Sequence, residues 1–293
     1  MPITIRFGGY QPARSVHSRA VRIFGAELER RLGNNIDFRF TENVAASGRK
    51  VADLLPMTEG DELDLCYFSS SYLVARVPSL GLFDRPFRFR DRGEAYALVD
   101  GDIGRRIADD VAAATGFRVL GFWDNGIRHI SNWRHPILHP RDCKGLVIRT
   151  LDNATHQRVF RAFGFEPVII DVKDLARAVA EHRVDAQENP LTNLINFNLH
   201  KTHRFVTLTG HFFGAAPVLA NQGRFDQWPQ EVRQAVEEAV VVATASQRRF
   251  AAEDDDLCLK ELLDDGVAVA RAGEFDRDAF IAAVADLRDE TGG

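Results

Sequence analysis

Arg128, in the run Asn125-Gly126-Ile127-Arg128-His129, and Arg149, in Leu146-Val147-Ile148-Arg149-Thr150, are the side chains of this sequence best placed to do chemistry. Each stands beside a short apolar or turn segment. There a planar guanidinium can be held rigid and present paired N–H donors to both oxygens of a carboxylate. A third polar run, Asp185-Ala186-Gln187-Glu188-Asn189-Pro190, follows them. Together the three segments read as a carboxylate clamp, and so as a site for an organic acid. Arginine alone is no mark, because it makes up 32 of the 37 basic residues. The case rests on position. Arg149 ends a strand-like run, and ligands of open α/β sheets sit at the carboxyl ends of strands. Arg128 follows a turn pair, Asn-Gly. Asn189 precedes Pro190, which bars a continuing helix and projects the preceding side chains from a loop. The plain alternatives are a solvated Arg149 and an ion-paired, structural Arg128, with Gln187 and Glu188 as structural residues.

The elements that must position these groups alternate short apolar strands with amphipathic helices, the pattern of a mostly parallel sheet covered by helices. Strands are expected over Ile3 to Phe7, Ile36 to Phe40, Leu63 to Phe68, Arg118 to Trp123, Leu146 to Ile148 and Pro167 to Ile170. Val16, Ala20, Val21, Phe24, Leu28 and Leu32 recur at helical spacing, with Ser15 placed to cap the start and Gly33 to end it. The longest helical pattern follows Pro229, carries Val232, Ala235, Val236, Ala239, Val240, Ala243 and Phe250 on one stripe, and extends to about Leu263 before Gly266. No Pro/Gly/Ser linker interrupts the chain. Two lobes would therefore be joined by crossing segments, expected near Trp123 to Asp124 and near Gly210 to Phe213.

Composition excludes several functions. A chain of 293 residues with 45% hydrophobic content can bury a sizeable core, and its length suggests two domains. A net charge of -5 leaves no basic field for nucleic acid. No apolar run approaches the roughly 20 residues needed to cross a bilayer. Three scattered cysteines, Cys66, Cys143 and Cys258, suit buried free thiols better than a disulfide framework or a metal site. His129, His135 and His139 invite a zinc reading, but Pro136 and Pro140 break any helix that could set them on one face. His200 and His203 are only a pair. No Gly-x-Ser-x-Gly, P-loop or Gly-x-Gly-x-x-Gly pattern is present, and Glu188 has no partnered acid or nucleophile. No metal, no cofactor and no enzymatic activity are expected.

Six ordered motifs carry a family resemblance: Asp64-Leu65 leading into Tyr67-Phe68-Ser69, Leu80-Gly81-Leu82-Phe83-Asp84-Arg85-Pro86-Phe87, Gly121-Phe122-Trp123-Asp124-Asn125-Gly126-Ile127-Arg128, Leu146 to Thr150, Asp185 to Pro190, and Leu208-Thr209-Gly210-His211. Taken together, the chain resembles the extracytoplasmic solute-binding subunit of a tripartite ATP-independent periplasmic (TRAP) transporter of the dicarboxylate-binding (DctP) type, from about Ile3 to the final helices. The resemblance implies a two-lobed α/β periplasmic binding fold, each lobe a mostly parallel sheet flanked by helices, with the long helix bracing both. Lobe I would be 1–123 and 213–252, lobe II 124–212 and 253–293, hinged about an inter-lobe cleft. It implies that Arg149 makes a two-pronged salt bridge to a ligand carboxylate, that Arg128 supports that carboxylate or another ligand oxygen, and that the Asn189 amide joins them. Gln11, Tyr10 and Ser69 match pocket positions of the first lobe, and Phe213 could wall the pocket. Ala186 stands where the family usually has glycine, and Val172 where many members have an aromatic. Ser69 stands where an acidic residue accompanies hydroxyl-rich or amino-bearing ligands, so a small or partly apolar acid is expected, with a monocarboxylate preferred to a diacid. The implied setting is a monomer in the periplasm, its leader removed and Met1 added, that delivers an organic acid to TRAP membrane subunits. An enzyme acting on a carboxylic acid in the same cleft and a sensor or scavenger of the same fold are the rival readings.

Overall fold

A computed structural model of the chain describes residues 2–288. The strands are β1 (Ile3–Gly8), β2 (Ile36–Thr41), β3 (Leu65–Tyr67), β4 (Phe117–Asn132), β5 (Val147–Thr150), β6 (Glu166–Ile169), β7 (Ala186–Asn189), β8 (Phe205–Asn221) and β9 (Ala268–Ala270). Hydrogen bonding orders them β2-β1-β3-β8-β4-β7-β5-β6, with β9 on β8, and helices flank them: the protein is α/β. The chain divides into two compact units, the first Met1–Ser70, Ala97–Asp124 and Ala215–Ala252, the second Ser71–Tyr96, Asn125–Gly214 and Glu253–Gly293.

In the first unit β1 pairs in parallel with β2, from Ile3 opposite Ile36 to Gly8 opposite Thr41, and with β3 at Phe7 and Leu65. The end of β8 runs antiparallel to β3, Leu65 opposite Ala220. Strand alternation sends Ile5 and Phe7 to one face, where they are fully buried with Val21, Phe24 and Leu28 of the helix Val16–Leu32. That helix starts where its sequence says it should. The Ser15 hydroxyl accepts the Ser18 N–H at 3.1 Å, and Gly33 leaves the helix at φ 55°, a conformation with little cost for glycine. At the last residue of the segment 97–124, the buried Gln247 amide accepts the Asp124 N–H at 2.8 Å and donates to its carbonyl at 2.7 Å. Both backbone groups of Asp124 are thus satisfied by one side chain.

In the second unit β7 lies between β4 and β5. It is antiparallel to β4, with His129 opposite Asn189 and Ser131 opposite Gln187, and parallel to β5, with Arg149 opposite Gln187. β6 extends the parallel pairing beyond β5, and β9 pairs with the start of β8. One core gathers Phe160, Phe163, Phe165, Phe212 and Phe280, another Leu175, Val179, Leu194, Val206 and Leu262. The segment 71–96 packs here because Asp84 bonds to Ser71, Asn153 and His156, and the Phe87 N–H donates to the His211 carbonyl.

The long helix, Gln230–Asp264, has 35 residues, so at about 1.5 Å per residue it runs roughly 50 Å. Its residues through Ala252 belong to the first unit and the rest to the second. The stripe Val232, Ala235, Val236, Ala239, Val240 and Ala243 is buried. Gly266, at φ 73°, ends it by donating its N–H to the Leu263 carbonyl at 2.9 Å.

Two local expectations change. Gln187, Glu188 and Asn189 are not loop residues but a strand: with a neighbour on each side, β7 is buried along its whole length, and polar residues can fill it because they bond one another. β4 is also far longer than the apolar run that marked it, and β8 runs through a stretch where only a crossing near Gly210 to Phe213 was expected. Their polar positions, Asn125, Ser131, Asn132, Thr207 and Thr209, are buried as well, which removes the alternation from which a strand is usually read.

Candidate functional site

β5 carries Arg149 near its carboxyl end, with 2% of the residue exposed. Its Nε donates to the Ile170 carbonyl at 2.7 Å, which fixes the plane of the guanidinium. Its Nη2 is buried and finds no hydrogen-bond partner among the described residues. Beside it, the Tyr72 hydroxyl bonds to Arg149; burial raises that phenol's pKa, although Arg149 and Arg128 pull it down. A buried cationic N–H without an acceptor costs free energy unless a ligand completes it. Thr150 Oγ1, on the next residue, is also buried without a partner.

The strand register sorts the polar residues around Arg149 by face. Paired residues of adjacent strands share a face, so Arg149, Gln187, Asn189, His129 and Ser131 lie on one side of the sheet and Glu188 and Ile130 on the other. Arg128, one residue beyond the paired positions, reaches both Glu188 and Asn189, and both arginines act on Tyr72. Arg128 is 4% exposed and Glu188 fully buried. The Arg128 Nε and Nη2 meet the two Glu188 carboxylate oxygens at 2.5 and 2.8 Å, and Nη2 also reaches the Glu188 carbonyl at 3.1 Å and Asn189 Oδ1 at 3.4 Å. Two glycine features allow this approach. Gly126 has φ 87°, and a Cβ there would sit 2.4 Å from Pro190 Cβ. β4 can therefore close on Pro190, the residue after β7, only without a side chain at 126.

Glu188 belongs to a larger buried set. His211 Nε2 is 3.4 Å from one carboxylate oxygen and His156 Nδ1 3.8 Å from the other, while His156 Nε2 bonds to Asp84 at 2.8 Å. Burial alone would push Glu188 up, but Arg128, His156 and His211 outweigh it and hold the carboxyl well below its ordinary range. For His156, burial pulls down and the carboxylates of Asp84 and Glu188 prevail, leaving it raised. His211 stays lowered, because burial exceeds the pull of Glu188. The Asn189 Nδ2 donates to Gln187 Oε1 at 2.5 Å, and its Oδ1 accepts from Asn193 at 3.0 Å.

In the first unit Gln11 is 1% exposed, and both atoms of its side-chain amide are buried without partners. Its backbone N–H donates to the Tyr67 hydroxyl at 3.1 Å, and its carbonyl accepts from Ser18. Tyr10, buried, packs with its ring centroid 5.2 Å from that of Tyr67, the planes tilted by 36°, and Ser69 is buried two residues after β3. Phe213 falls in the second unit, edge-on to Phe89 at 5.7 Å and Tyr96 at 6.2 Å. Arg149, Arg128 and Asn189 are thus gathered in the second unit, and Tyr10, Gln11 and Ser69 in the first. Tyr72 carried no sequence signal, since a lone tyrosine after three serines has neither spacing nor periodicity. Glu188 was legible only as a structural residue; its acidic type directly after Gln187 gave no hint that Arg128 was its partner.

The remaining candidates for chemistry are engaged elsewhere. His129 Nδ1 accepts from the Gly210 N–H, His139 Nδ1 from the Arg141 N–H, and His203 Nδ1 pairs with the Ser131 hydroxyl. Among the described residues no group of three His, Cys, Asp or Glu side chains could hold a metal ion, and no helix is long and apolar enough to cross a membrane. The three cysteines are free and buried; burial pushes the Cys66 thiol up to about 12.

Residues 7–291 match the family described as bacterial extracellular solute-binding protein, family 7 (DctP), and the chain belongs to that family. A solute-binding protein of Verminephrobacter eiseniae is 30% identical over 268 residues, 92% of this chain and 78% of the relative. Among solved structures, the sugar acid binding protein of Advenella mimigardefordensis in complex with galactonate superposes with a TM-score of 0.92 at 26% identity, covering 98% of this chain and 91% of that one. A TRAP periplasmic solute-binding protein of Polaromonas bound to D-erythronate gives 0.90 at 26% identity, covering 97% and 92%.

Proposed function

We propose that this protein is the periplasmic solute-capturing subunit of a TRAP transporter, binding a small hydroxylated monocarboxylate and delivering it to the membrane subunits without covalent chemistry. The observation that carries the reading is Arg149: a buried guanidinium, oriented by the Ile170 carbonyl, whose Nη2 has no acceptor. A ligand carboxylate supplies that acceptor and the counter-charge together. In the proposal Arg149 makes the principal contact, with Tyr72 beside it. Arg128, held by Glu188, and Asn189 flank the carboxylate. Charge-assisted hydrogen bonds contribute roughly 1.5 to 3 kcal/mol each, enough for micromolar affinity once ordering costs are subtracted.

The ligand class follows from the first unit. Tyr10, Gln11 and Ser69 are neutral, and the nearby Arg14 is exposed. A second carboxylate buried against them would lack a counter-charge, at a cost of several kcal/mol. The Gln11 amide, with donor and acceptor both unpartnered, instead suits a hydroxyl group. Galactonate and D-erythronate, held by the two structural neighbours, are hydroxylated monocarboxylates.

Titration calorimetry with D-galactonate, D-erythronate, lactate and succinate tests the reading. Micromolar binding of at least one hydroxy monoacid, tighter than succinate, is expected. Succinate outbinding every monoacid would overturn the ligand class, and silence from all acids would overturn the role of Arg149.

A further inference from the structure

The second unit contains a cavity of about 190 Å³ that shares none of its lining with Arg149, Tyr72 or Asn189. Its walls are aromatic: Phe87, Phe89, Phe212, Phe213 and Phe275. Arg88, Arg90 and Arg277 also line it. We propose that this cavity is a second ligand site, for a small aromatic or branched-chain monocarboxylate whose apolar body packs on the phenylalanines while Arg277 takes the carboxylate.

Charge points to an anion. Arg88 and Arg90 share one carboxylate, Glu94, at 3.2 and 3.4 Å. Asp91, also in the lining, already accepts the Glu94 N–H at 2.9 Å. Arg277 lies with its guanidinium carbon 5.1 Å from the Phe87 ring centroid, and its side chain has neither a hydrogen bond nor an ion pair among the described residues. Three cations therefore face two carboxylates, and the unmatched one is already stacked over an aromatic wall. A cation held on a ring face keeps its N–H edge available to an incoming carboxylate.

Shape points to a small one. The volume is below the roughly 300 to 1,000 Å³ of sites for drug-sized ligands, leaving room for one ring or a short branched chain. The wall is also held in an unusual backbone state. Phe87 has φ 53°, a conformation that bulky L-residues rarely adopt, and it is kept there by its N–H to the His211 carbonyl at 2.8 Å. Relaxing Phe87 would move its ring, and with it the stacked Arg277, off the cavity. Such strain persists where the surroundings enforce it, and here it keeps the cavity open.

The experiment uses 4-fluorobenzoate as probe, followed by fluorine NMR on the whole chain. Saturable binding is expected, at least tenfold weaker in Arg277→Ala and lost in Ala272→Trp, which fills the cavity from an exposed lining position. Arg149→Ala should leave it within twofold, and uncharged 4-fluorobenzyl alcohol should bind at least tenfold more weakly. D-galactonate titration of Arg277→Ala, expected to match wild type, keeps the two sites distinguishable and confirms that the variant is folded. Absence of binding at millimolar probe would overturn the proposal. So would binding indifferent to Arg277→Ala and Ala272→Trp, or binding lost in Arg149→Ala. Capture of an acidic, phenylalanine-bearing peptide without 4-fluorobenzoate would make the cavity a protein-docking surface and overturn it equally.

Discussion

Arg149 and Arg128 look equivalent as letters and differ as physical objects. Arg149 is buried with a donor left over, whereas Arg128 faces Glu188 with two of its nitrogens. Arg149→Ala should therefore abolish measurable D-galactonate binding by calorimetry, a loss of roughly 3 to 5 kcal/mol, with thermal stability retained. Arg149→Lys should recover only part, since an ammonium cannot reproduce the fork; near-normal affinity in the alanine variant would remove the basis of the carboxylate site. Glu188→Gln should instead destabilise the fold by about 3 to 5 kcal/mol in urea unfolding, because it leaves the Arg128 charge buried and only partly compensated. Adding Arg128→Met should regain part of that stability, as no charge is then stranded. Equal stability of single and double variants would mean the pair is not the source of the loss. The sequence marked Arg149 through its place at a strand end. It could not mark the ion pair, since 128 and 188 meet only through the register of β4 on β7.

At the scale of elements, legibility followed capping and periodicity. Ser15, Gly33 and Gly266 bound their helices as the chemistry of caps requires, and the strands with alternating or continuous apolar residues lie where the pattern put them. β7 escaped because its four buried residues include three polar ones that bond among themselves and to Arg128 and Asn193, so burial left no apolar trace. Gly126 ties this element to the site. Gly126→Ala should cost more than Gly33→Ala, although both have positive φ. At Gly33 an added Cβ meets nothing within 4 Å, whereas at Gly126 it would overlap Pro190 at 2.4 Å. About 1 kcal/mol is expected for Gly33→Ala from backbone strain alone. Gly126→Ala should exceed it in urea unfolding and also weaken D-galactonate binding, because displacing Pro190 shifts Glu188 and Asn189. Equal costs and unchanged affinity would show that the Gly126–Pro190 approach does not position the site.

At the scale of the whole molecule, length suggested two domains and the absent linker suggested crossing segments, while a helix bracing two lobes came from the family resemblance and not from the apolar stripe itself. Where residues 71–96 pack was not legible, because Asp84 finds Asn153 and His156 only in three dimensions. Buried histidines spread over both units then govern the response to pH. Burial pushes His17 in the first unit, and His129 and His203 in the second, down to about 3. Unfolded, each has its ordinary value near 6.5. Between those values the unfolded chain binds protons that the folded chain refuses, so stability is fully present above about 6.5 and falls as the pH drops, by about 1.4 kcal/mol per pH unit for each histidine. His211, also lowered, adds in the same direction. His156, raised, opposes them, but its contribution is lost as the pH rises above about 6.5, and well below that value it is protonated in both states. Glu188, held well below its ordinary range, acts in the same direction as the lowered histidines, once the pH approaches the ordinary carboxylate range. Urea unfolding at several pH values from 7 to 5 should thus show a steep loss that His17→Phe reduces, even though that ring also stacks on Tyr67 at 4.7 Å. Because phenylalanine keeps the aromatic contact and removes the titrating nitrogen, its effect on the slope separates protonation from packing. A stability independent of pH across that interval would mean that the three imidazoles are not held neutral by burial.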